Sequence, residues 1–271
     1  MIMLLTVDIG NSQIFCGVHD GEALKTTFRR TSSVRASSDE FGTFFRSTLR
    51  ENSVDPAEID MAAICSVAPD AVRSLRNCFR KYFGFEPFLL QPGVKTGLKI
   101  RYRDPLEVGA DKIANAIGAL SLFPGRNLVI VDFGTATTLC AVSKHREYLG
   151  GIITPGINIS MAALESQTAR LPAVEIVRPA AVLGRSIVES IQSGLYYGTL
   201  ASVRFLAASI TNEHFAGERP LTVGTGGIGR LFRDEDLFDE FVPELPLLGL
   251  RRAIEISQSM RRSTQDNRVE S

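Results

Sequence analysis

The chain of 271 residues is 44% hydrophobic and balances 30 Lys plus Arg against 30 Asp plus Glu, for a net charge of zero. That length supports one large domain or two of ordinary size. The balanced charge offers no basic surface for nucleic acid or anionic lipid, so we expect a small-molecule ligand and neither of those partners.

The cysteines and the first residues indicate the compartment. Cys16, Cys65, Cys78 and Cys140 are scattered, without Cys-x-x-Cys spacing, and are typical of reduced core thiols. Residues 1–7 are apolar but too short for a membrane span and lack a basic leader, so they predict a strand. We therefore predict a cytoplasmic protein without a signal peptide or a membrane span.

The first half of the chain alternates strand and helix patterns. The runs MLLTVDIG and QIFCGVHDGE predict an opening β-hairpin. Apolar spacing then predicts helices over residues 37–49, 69–83 and 111–120, with short strands over 61–67 and 88–91. This alternation indicates an α/β fold.

The pattern begins again at Asn127, where NLVIVDFG, TTLCAV and EYLGGIITPG predict three strands. Aligning this repeat with the start of the chain puts Asp132 over Asp8, Gly134 over Gly10 and Ala136 over Ser12, a separation of 124 positions. Such a separation indicates two copies of a domain. Further patterns predict helices over 159–167, 186–212 and 250–260 and a strand over 221–223. We predict domains over 1–122 and 123–260 and a flexible polar tail over 261–271.

Each copy places an Asp at the end of a buried strand, followed by x-Gly, in DIGNS (residues 8–12) and DFGT (residues 132–135). The Gly lets the turn expose backbone N–H groups to phosphate oxygens, and the carboxylate can hold a hydrated metal ion that bridges them. One such turn alone has an ordinary structural explanation. Two equivalent turns favour a nucleotide cleft between the domains, with Asp8 holding Mg²⁺ through water. A P-loop is excluded because G-x-x-x-x-G-K-[ST] is missing from the sequence.

A third glycine-rich segment is VGTGGIGR (residues 223–230), which follows a strand pattern. It suits close backbone approach to adenine and ribose, and we predict that Gly226 and Gly227 contact ATP. It also spells G-x-G-x-x-G, the dinucleotide fingerprint. The dinucleotide hypothesis ranks lower because the following FVPELPLL is too interrupted by proline for a next parallel strand.

The segment YRDPLEVGADKIANAIGAL contains the candidate acceptor site. Asp111 falls at or beside the start of a helix, where it is either a helix cap or a carboxylate that accepts a proton from an attacking alcohol. Gly109 and Ala110 allow a tight approach. Lys112 is either a grip for an anionic substrate or a surface charge, and Tyr102 is either a substrate wall or a half-buried strand aromatic. We assign no role to the three histidines.

Together these residues resemble the type III pantothenate kinases over nearly the whole chain. Seven blocks occur in the order of that family: DIGNS, SVAP (residues 66–69), YRDPLEVGADK, DFGTATT, GGIITPG, VESIQSGLYYG and GTGG. The resemblance implies duplicated ribonuclease-H-like (actin-type ATPase) domains, with mixed sheets flanked by helices. It also implies a homodimer that phosphorylates pantothenate with ATP, using Mg²⁺ and a monovalent cation such as potassium or ammonium.

The same resemblance implies roles for particular residues. Asp111 would be the proton acceptor, Asp132 would hold the monovalent cation, and Thr135 would touch ATP. Pantothenate would be bound by Tyr102, Gly109, Ala110, Asp111 and Lys112. The ATP phosphates would be bound by the first phosphate turn, defined here as Asp8, Ile9, Gly10, Asn11, Ser12, Gln13, Ile14 and Phe15.

Three positions depart from the pattern of that family. Ser12 stands where Thr is usual and Lys112 where Arg is usual, changes that keep a hydroxyl and a charge. Ile187 stands where a Thr typically helps to bind pantothenate across the dimer interface, so this departure bears on substrate affinity. Two other functions stay open: a nucleotide-binding regulatory protein of the same fold, and a phosphohydrolase that uses water as acceptor.

Overall fold

The computed structural model describes residues 2–32, 36–67, 69–216 and 218–269. The chain forms two compact units, one of residues 1–122 with 245–271 and one of residues 123–244. The SVAP block includes Ala68, which lies outside the described residues, as do Glu270 and Ser271 at the end of the predicted tail.

The described elements follow one another in two runs. The first run is β1 (Met3–Ile9), β2 (Gln13–Asp20), β3 (Ala23–Thr31), α1 (Ser38–Glu51), β4 (Ile59–Ser66), α2 (Pro69–Tyr82), β5 (Phe88–Leu90), β6 (Lys99–Ile100) and α3 (Ala110–Leu122). The second run is β7 (Leu128–Phe133), β8 (Ala136–Ser143), β9 (Glu147–Pro155), α4 (Ile157–Gln167), α5 (Ile187–His214), β10 (Leu221–Thr225), β11 (Glu240–Phe241) and α6 (Leu245–Val269).

The first unit is built on a sheet of order β3-β2-β1-β4-β5. β1 pairs antiparallel with β2 and parallel with β4, so the sheet is mixed. Its core consists of the inward residues of β1, such as Val7 and Ile9, and of aromatic rings from the helices. Phe45 of α1 stacks on Phe79 of α2 with 5.6 Å between ring centroids. The end of β1 is therefore packed against the aromatic residues of α1 and α2.

Helix α1 starts where its sequence predicts, at a capping box. The Ser37 hydroxyl accepts a hydrogen bond from the Glu40 backbone N–H at 3.2 Å, and the Glu40 carboxylate accepts one from the Ser37 backbone N–H at 2.8 Å. Two of the N–H groups that every helix start leaves without partners are satisfied in this way.

The second unit repeats the plan of the first. Its own strands run in the order β11-β10-β7-β8-β9, with β7 antiparallel to β8 and parallel to β10. Strands β7, β8, β9, β10 and β11 thus correspond to β1, β2, β3, β4 and β5. The α/β architecture, predicted from the alternation of strands and helices, is confirmed, and so are the two mixed sheets that the family resemblance implied.

The repeat differs in the length of its first turn. Asp8 pairs with Phe15 across the first hairpin, whereas Asp132 pairs with Thr138 across the second, which is one residue shorter. Because β2 begins at Gln13 and β8 at Ala136, the residue that matches Ser12 is Thr135. The sequence alignment, which put Ala136 over Ser12, is corrected by this one-residue gap, and both turns carry a hydroxyl before the second strand.

The final helix packs in the first unit and not in the second, where chain order had assigned it. It contacts α3 through small residues. A Cβ on Gly249 of α6 would lie 1.8 Å from the carbonyl oxygen of Ala114, and a Cβ on Gly118 of α3 would lie 2.6 Å from the carbonyl oxygen of Leu245. Such close backbone approach is possible only where side chains are missing. α6 runs to Val269, so residues predicted as flexible tail continue this helix.

Within the described parts of the chain, no helix has both the length and the apolar composition that a membrane span requires.

Candidate active site

The first phosphate turn lies at the end of β1. The Gly10 backbone N–H donates to the Gln13 carbonyl at 2.9 Å and closes the turn. Asn11, Ser12 and Gln13 are exposed. Ile9, Ile14 and Phe15 have buried side chains, so at these three positions only the backbone is available to a phosphate. This division agrees with a turn that binds anions through backbone N–H groups.

Asp8 is half-buried, on the face of β1 opposite to Val7 and Ile9, because successive side chains of a strand alternate. Its neighbour on β4 is Cys65, in direct register. The Cys65 thiol donates a hydrogen bond to Asp8 Oδ1 at 3.1 Å. The sequence predicts Cys65 only as a core thiol and does not reveal this contact with a site residue.

The second turn has the same construction. The buried ring of Phe133 stacks on Phe232 with 5.1 Å between centroids, which anchors the end of β7, while Asp132 lies half-buried on the other face. The Gly134 N–H donates to the Ala136 carbonyl at 3.2 Å. A Cβ on Gly156, which precedes α4, would lie 2.2 Å from the Thr135 carbonyl oxygen. Gly156 therefore packs tightly against the backbone of the second phosphate turn.

Gly226 lies directly against Asp132. Its φ is +88°, a conformation that side chains disfavour, and a Cβ there would lie 2.7 Å from Asp132 Oδ1 and 2.5 Å from the Phe133 carbonyl oxygen. The strand β10 that leads to it ends at Thr225, the register partner of Asp132, whose buried hydroxyl has no hydrogen-bond partner among the described residues. The Asp132 carboxylate and the Phe133 carbonyl oxygen thus flank one bare glycine, and oxygens of these kinds are ligands of alkali cations.

Asp111 is the second residue of α3. The Gly109 carbonyl accepts the first helical hydrogen bonds, from the Lys112 and Ile113 N–H groups at 3.1 Å each, so Gly109 occupies the cap position. Asp111 Oδ2 accepts a hydrogen bond from Lys112 Nζ at 3.2 Å, whereas Oδ1 is buried and has no partner among the described residues. A capping side chain would accept from a backbone N–H. Asp111 is therefore not the cap of this helix.

A Cβ at Gly109 would lie 2.4 Å from Asp111 Oδ1, so a side chain at this position would displace that carboxylate. Tyr102 is half-buried in a bend after β6, and not in a strand as one of its two interpretations assumed. Ala110 is buried at the start of α3. The structure thus brings Asp111 and Lys112 into contact, with the Gly109 backbone beside them.

One electrostatic feature links Asp8 and Asp111, which both belong to the first unit. The pKa of Cys65 is raised well above its ordinary value, first by burial, then by the charge of Asp8 and its hydrogen bond, and further by the charge of Asp111. Both carboxylates therefore lie close enough to this thiol to act on it.

Ile187 is the first residue of α5, after the cap residue Ser186, whose hydroxyl accepts from the Glu189 N–H at 3.2 Å. Its side chain is 54% exposed and lines an apolar groove of about 1190 Å³ in the second unit. Helices α4 and α5 and the segment between them form this groove, with Ile159, Leu164, Leu171 and Leu195 among its walls.

A duplicated mixed sheet with an Asp-x-Gly turn after each first strand defines the fold of the actin-like ATPases and sugar kinases. Solved structures agree with this class. An activator of 2-hydroxyisocaproyl-CoA dehydratase from Clostridium difficile with bound ADPNP superposes with a TM-score of 0.51 at 10% identity, covering 98% of each chain. A ROK hexokinase from Thermus thermophilus gives 0.50 at 13% identity, covering 95% of this chain and 100% of its own.

Sequence relatives identify the family within that class. The family model described as type III pantothenate kinase matches residues 4–209. The type III pantothenate kinase of Legionella pneumophila (strain Corby) is 52% identical over 93% of this chain and 98% of its own. That of Elusimicrobium minutum (strain Pei191) is 46% identical over 95% and 100%. The chain belongs to the type III pantothenate kinase family.

Proposed function

We propose that this chain transfers the γ-phosphoryl group of ATP to the primary hydroxyl of pantothenate, which gives 4′-phosphopantothenate and ADP in the first step of coenzyme A biosynthesis. The observation that carries the mechanism is the buried Oδ1 of Asp111, which has no partner among the described residues. A carboxylate oxygen in that state is available to accept a proton from the attacking alcohol. Phosphoryl transfer otherwise depends on positioning and charge stabilisation.

For ATP, we propose that the first phosphate turn binds the phosphates, with contacts from Thr135, Gly226 and Gly227. Mg²⁺ would be held by Asp8 through water. The half-buried Asp8 carboxylate beside the turn suits this ion, because Mg²⁺ in kinases uses one or two carboxylates, water and substrate phosphates. The bound ion would neutralise charge on the phosphates.

For the monovalent cation, we propose Asp132 as the principal ligand. The oxygen atoms around Gly226 support this role, because a Cβ at Gly226 would fill the space beside Asp132 Oδ1. Pantothenate-dependent ADP formation is expected to require potassium or ammonium in addition to Mg²⁺. The assay compares buffers that contain potassium, ammonium, sodium or Tris at equal ionic strength. Equal rates in all four buffers would remove Asp132 from this role.

For pantothenate, we propose binding by Tyr102, Gly109, Ala110, Asp111 and Lys112, with Ile187 contributing in a homodimer. Lys112 would balance the charge of the substrate carboxylate. The apolar groove at Ile187 supports the dimer, since a partner chain would remove its exposed apolar side chains from water. We also propose a cytoplasmic location, which the four buried cysteines support, because they form no disulfides.

The deciding experiment measures ADP release from ATP and Mg²⁺ with and without pantothenate. Stimulation by pantothenate, together with a phosphorylated product detected by mass spectrometry, is expected. Release at the same rate without pantothenate would indicate a phosphohydrolase. Nucleotide binding without ADP release in either condition would indicate a regulatory nucleotide-binding protein.

A further inference from the structure

The Cys65 thiol and the Asp8 carboxylate form a hydrogen-bonded pair at the edge of the candidate ATP site. Cys65 is 1% exposed, and its Sγ lies 3.1 Å from Asp8 Oδ1. The two residues occupy facing positions on the parallel strands β4 and β1. A hydrogen bond to a carboxylate is stronger than one between neutral groups, so this contact restrains the rotation of the Asp8 side chain.

This hydrogen bond does not follow automatically from strand register. In the second unit, Thr225 faces Asp132 from the equivalent position on β10, and its hydroxyl is equally buried. That hydroxyl makes no hydrogen bond among the described residues. The same register thus gives a bonded pair in one unit and a hydroxyl without a partner in the other, so the Cys65 contact is a particular feature of the Asp8 site.

The thiol acts as the donor of this pair. An ordinary thiol has a pKa of about 8.5, so the sulfur carries a proton at neutral pH. A protonated thiol can donate one hydrogen bond, and a carboxylate can only accept.

We propose that Cys65 is a positioning residue, whose thiol holds Asp8 Oδ1 so that the carboxylate meets the hydrated Mg²⁺ of bound ATP in one orientation. The proposal rests on the proposed function only in assigning Asp8 to bound Mg²⁺–ATP. It does not depend on the identity of the phosphate acceptor.

The first measurement is spectroscopic and needs neither metal nor nucleotide. The Raman difference between the wild-type protein and Cys65→Ala isolates the S–H stretching band of Cys65. We expect this band at the low frequency of a strong donor, and we expect Asp8→Asn to shift it upward because the charged acceptor is lost. A band that Asp8→Asn leaves in place would overturn the proposal.

The second measurement is the affinity for ATP by calorimetry, with Mg²⁺ and with EDTA. Loss of a hydrogen bond to a charged group by Cys65→Ala is expected to weaken Mg²⁺–ATP binding about tenfold. The effect in EDTA is expected to be small. Cys65→Ser, which keeps a donor, is expected to restore most of the affinity. Cys78→Ala and Cys78→Ser truncate and replace another fully buried thiol and serve as matched controls.

Three outcomes would contradict a positioning role: Cys65→Ala binds Mg²⁺–ATP like the wild type, Cys65→Ser binds as weakly as Cys65→Ala, or the Cys78 variants lose the same affinity. If Cys65→Ala does not fold, the Raman difference between the wild type and Cys65→Ser isolates the same S–H band, and the response of that band to Asp8→Asn still decides the question. A wild-type protein that shows the Mg²⁺ effect on ATP binding but no pantothenate-dependent ADP release would refute the proposed acceptor and leave the role of Cys65 supported.

Discussion

Asp111 has two possible roles, a helix cap and a proton acceptor, and the structure distinguishes between them. From the sequence, a helix cap and a proton acceptor were equally compatible with its position. The structure gives the cap position to Gly109 and leaves Asp111 Oδ1 buried without a partner among the described residues. A buried acceptor that lacks a hydrogen bond destabilises the folded protein. A bound ligand that supplies the donor removes this penalty.

The corresponding prediction is that Asp111→Asn lowers kcat by about 10²–10⁴-fold, the usual contribution of a positioned general base. Asn keeps the shape of Asp but cannot take a proton at neutral pH. Steady-state kinetics measure kcat, and calorimetry with ATP, whose Kd is expected to stay near that of the wild type, is the control. A variant with most of its kcat would place the proton acceptor elsewhere.

A second residue-scale prediction concerns Ile187, which departs from the Thr typical of the family. Its 54% exposed side chain lines the groove, so a hydroxyl there would meet a ligand without disturbing the core. We expect Ile187→Thr to lower the KM for pantothenate by about threefold to tenfold, the effect of one hydrogen bond. The matched control is Val188→Thr, which changes the next residue of α5, itself 43% exposed. Equal KM values for both variants and the wild type would show that position 187 does not contact the substrate.

The sequence predicted both Asp-x-Gly turns because each lies within a short, strongly patterned segment. It did not predict the contacts of Asp8 with Cys65 or the pairing of Asp132 with Thr225. Those neighbours come from β4 and β10, which lie far along the chain, and the order of strands in a parallel sheet cannot be read from local periodicity. Site residues that lie within one short segment could therefore be predicted, whereas their contacts with neighbouring strands could not.

At the level of secondary-structure elements, the differences between prediction and structure have physical causes. β3 was not predicted because it is an edge strand whose outward positions carry Lys25 and Arg29, a pattern that protects sheet edges. α6 begins at Leu245, five residues before its predicted start, because Pro246 lies in the first turn, where a missing N–H costs nothing.

The opening hairpin contains an acid-sensitive contact that the sequence did not reveal. His19 on β2 is fully buried, and its Nε2 lies 3.0 Å from Oγ1 of Thr6 on β1. That hydroxyl also donates to the Gly17 carbonyl at 3.1 Å, so it accepts from the imidazole N–H. Burial, with a smaller contribution from the charge of Arg251, lowers the pKa of His19 from 6.5 to about 4.

Between these two pH values the unfolded chain binds a proton at His19 that the folded chain does not, so stability falls as the pH drops from 6.5 toward 4. We expect the wild type to lose roughly 2 kcal/mol more than His19→Gln between about pH 7.5 and about pH 5, by urea denaturation. The exposed His145, changed to Gln, is the control. Identical pH profiles for the wild type and His19→Gln would contradict the prediction.

At the level of the whole molecule, the second unit carries several large apolar side chains that are exposed on a single chain. Leu183 is 83% exposed and Phe205 is 71% exposed. Apolar surface of this kind is stabilised when a partner covers it. The homodimer proposed above would cover this surface.

The prediction is that light scattering gives a mass about twice the 29.6 kDa of one chain and that Leu183→Asp raises the dimer Kd at least tenfold. A buried charge without a partner at an interface supplies that penalty. Leu106→Asp, at a position in the first unit that is 67% exposed, is the control and is expected to leave the mass unchanged. A monomeric wild type at micromolar concentration would refute the dimer.

The packing of α6 on α3 also determines the order in which the chain can complete its fold. A ribosome delivers residues 123–244 as one uninterrupted stretch, so the second unit has all its strands and helices before residue 245 is made. The first unit, although it begins the sequence, must wait for Leu245 and the residues after it before Gly118 and Ala114 meet their neighbours. Until then the small-residue face of α3 lacks the helix that covers it in the complete chain.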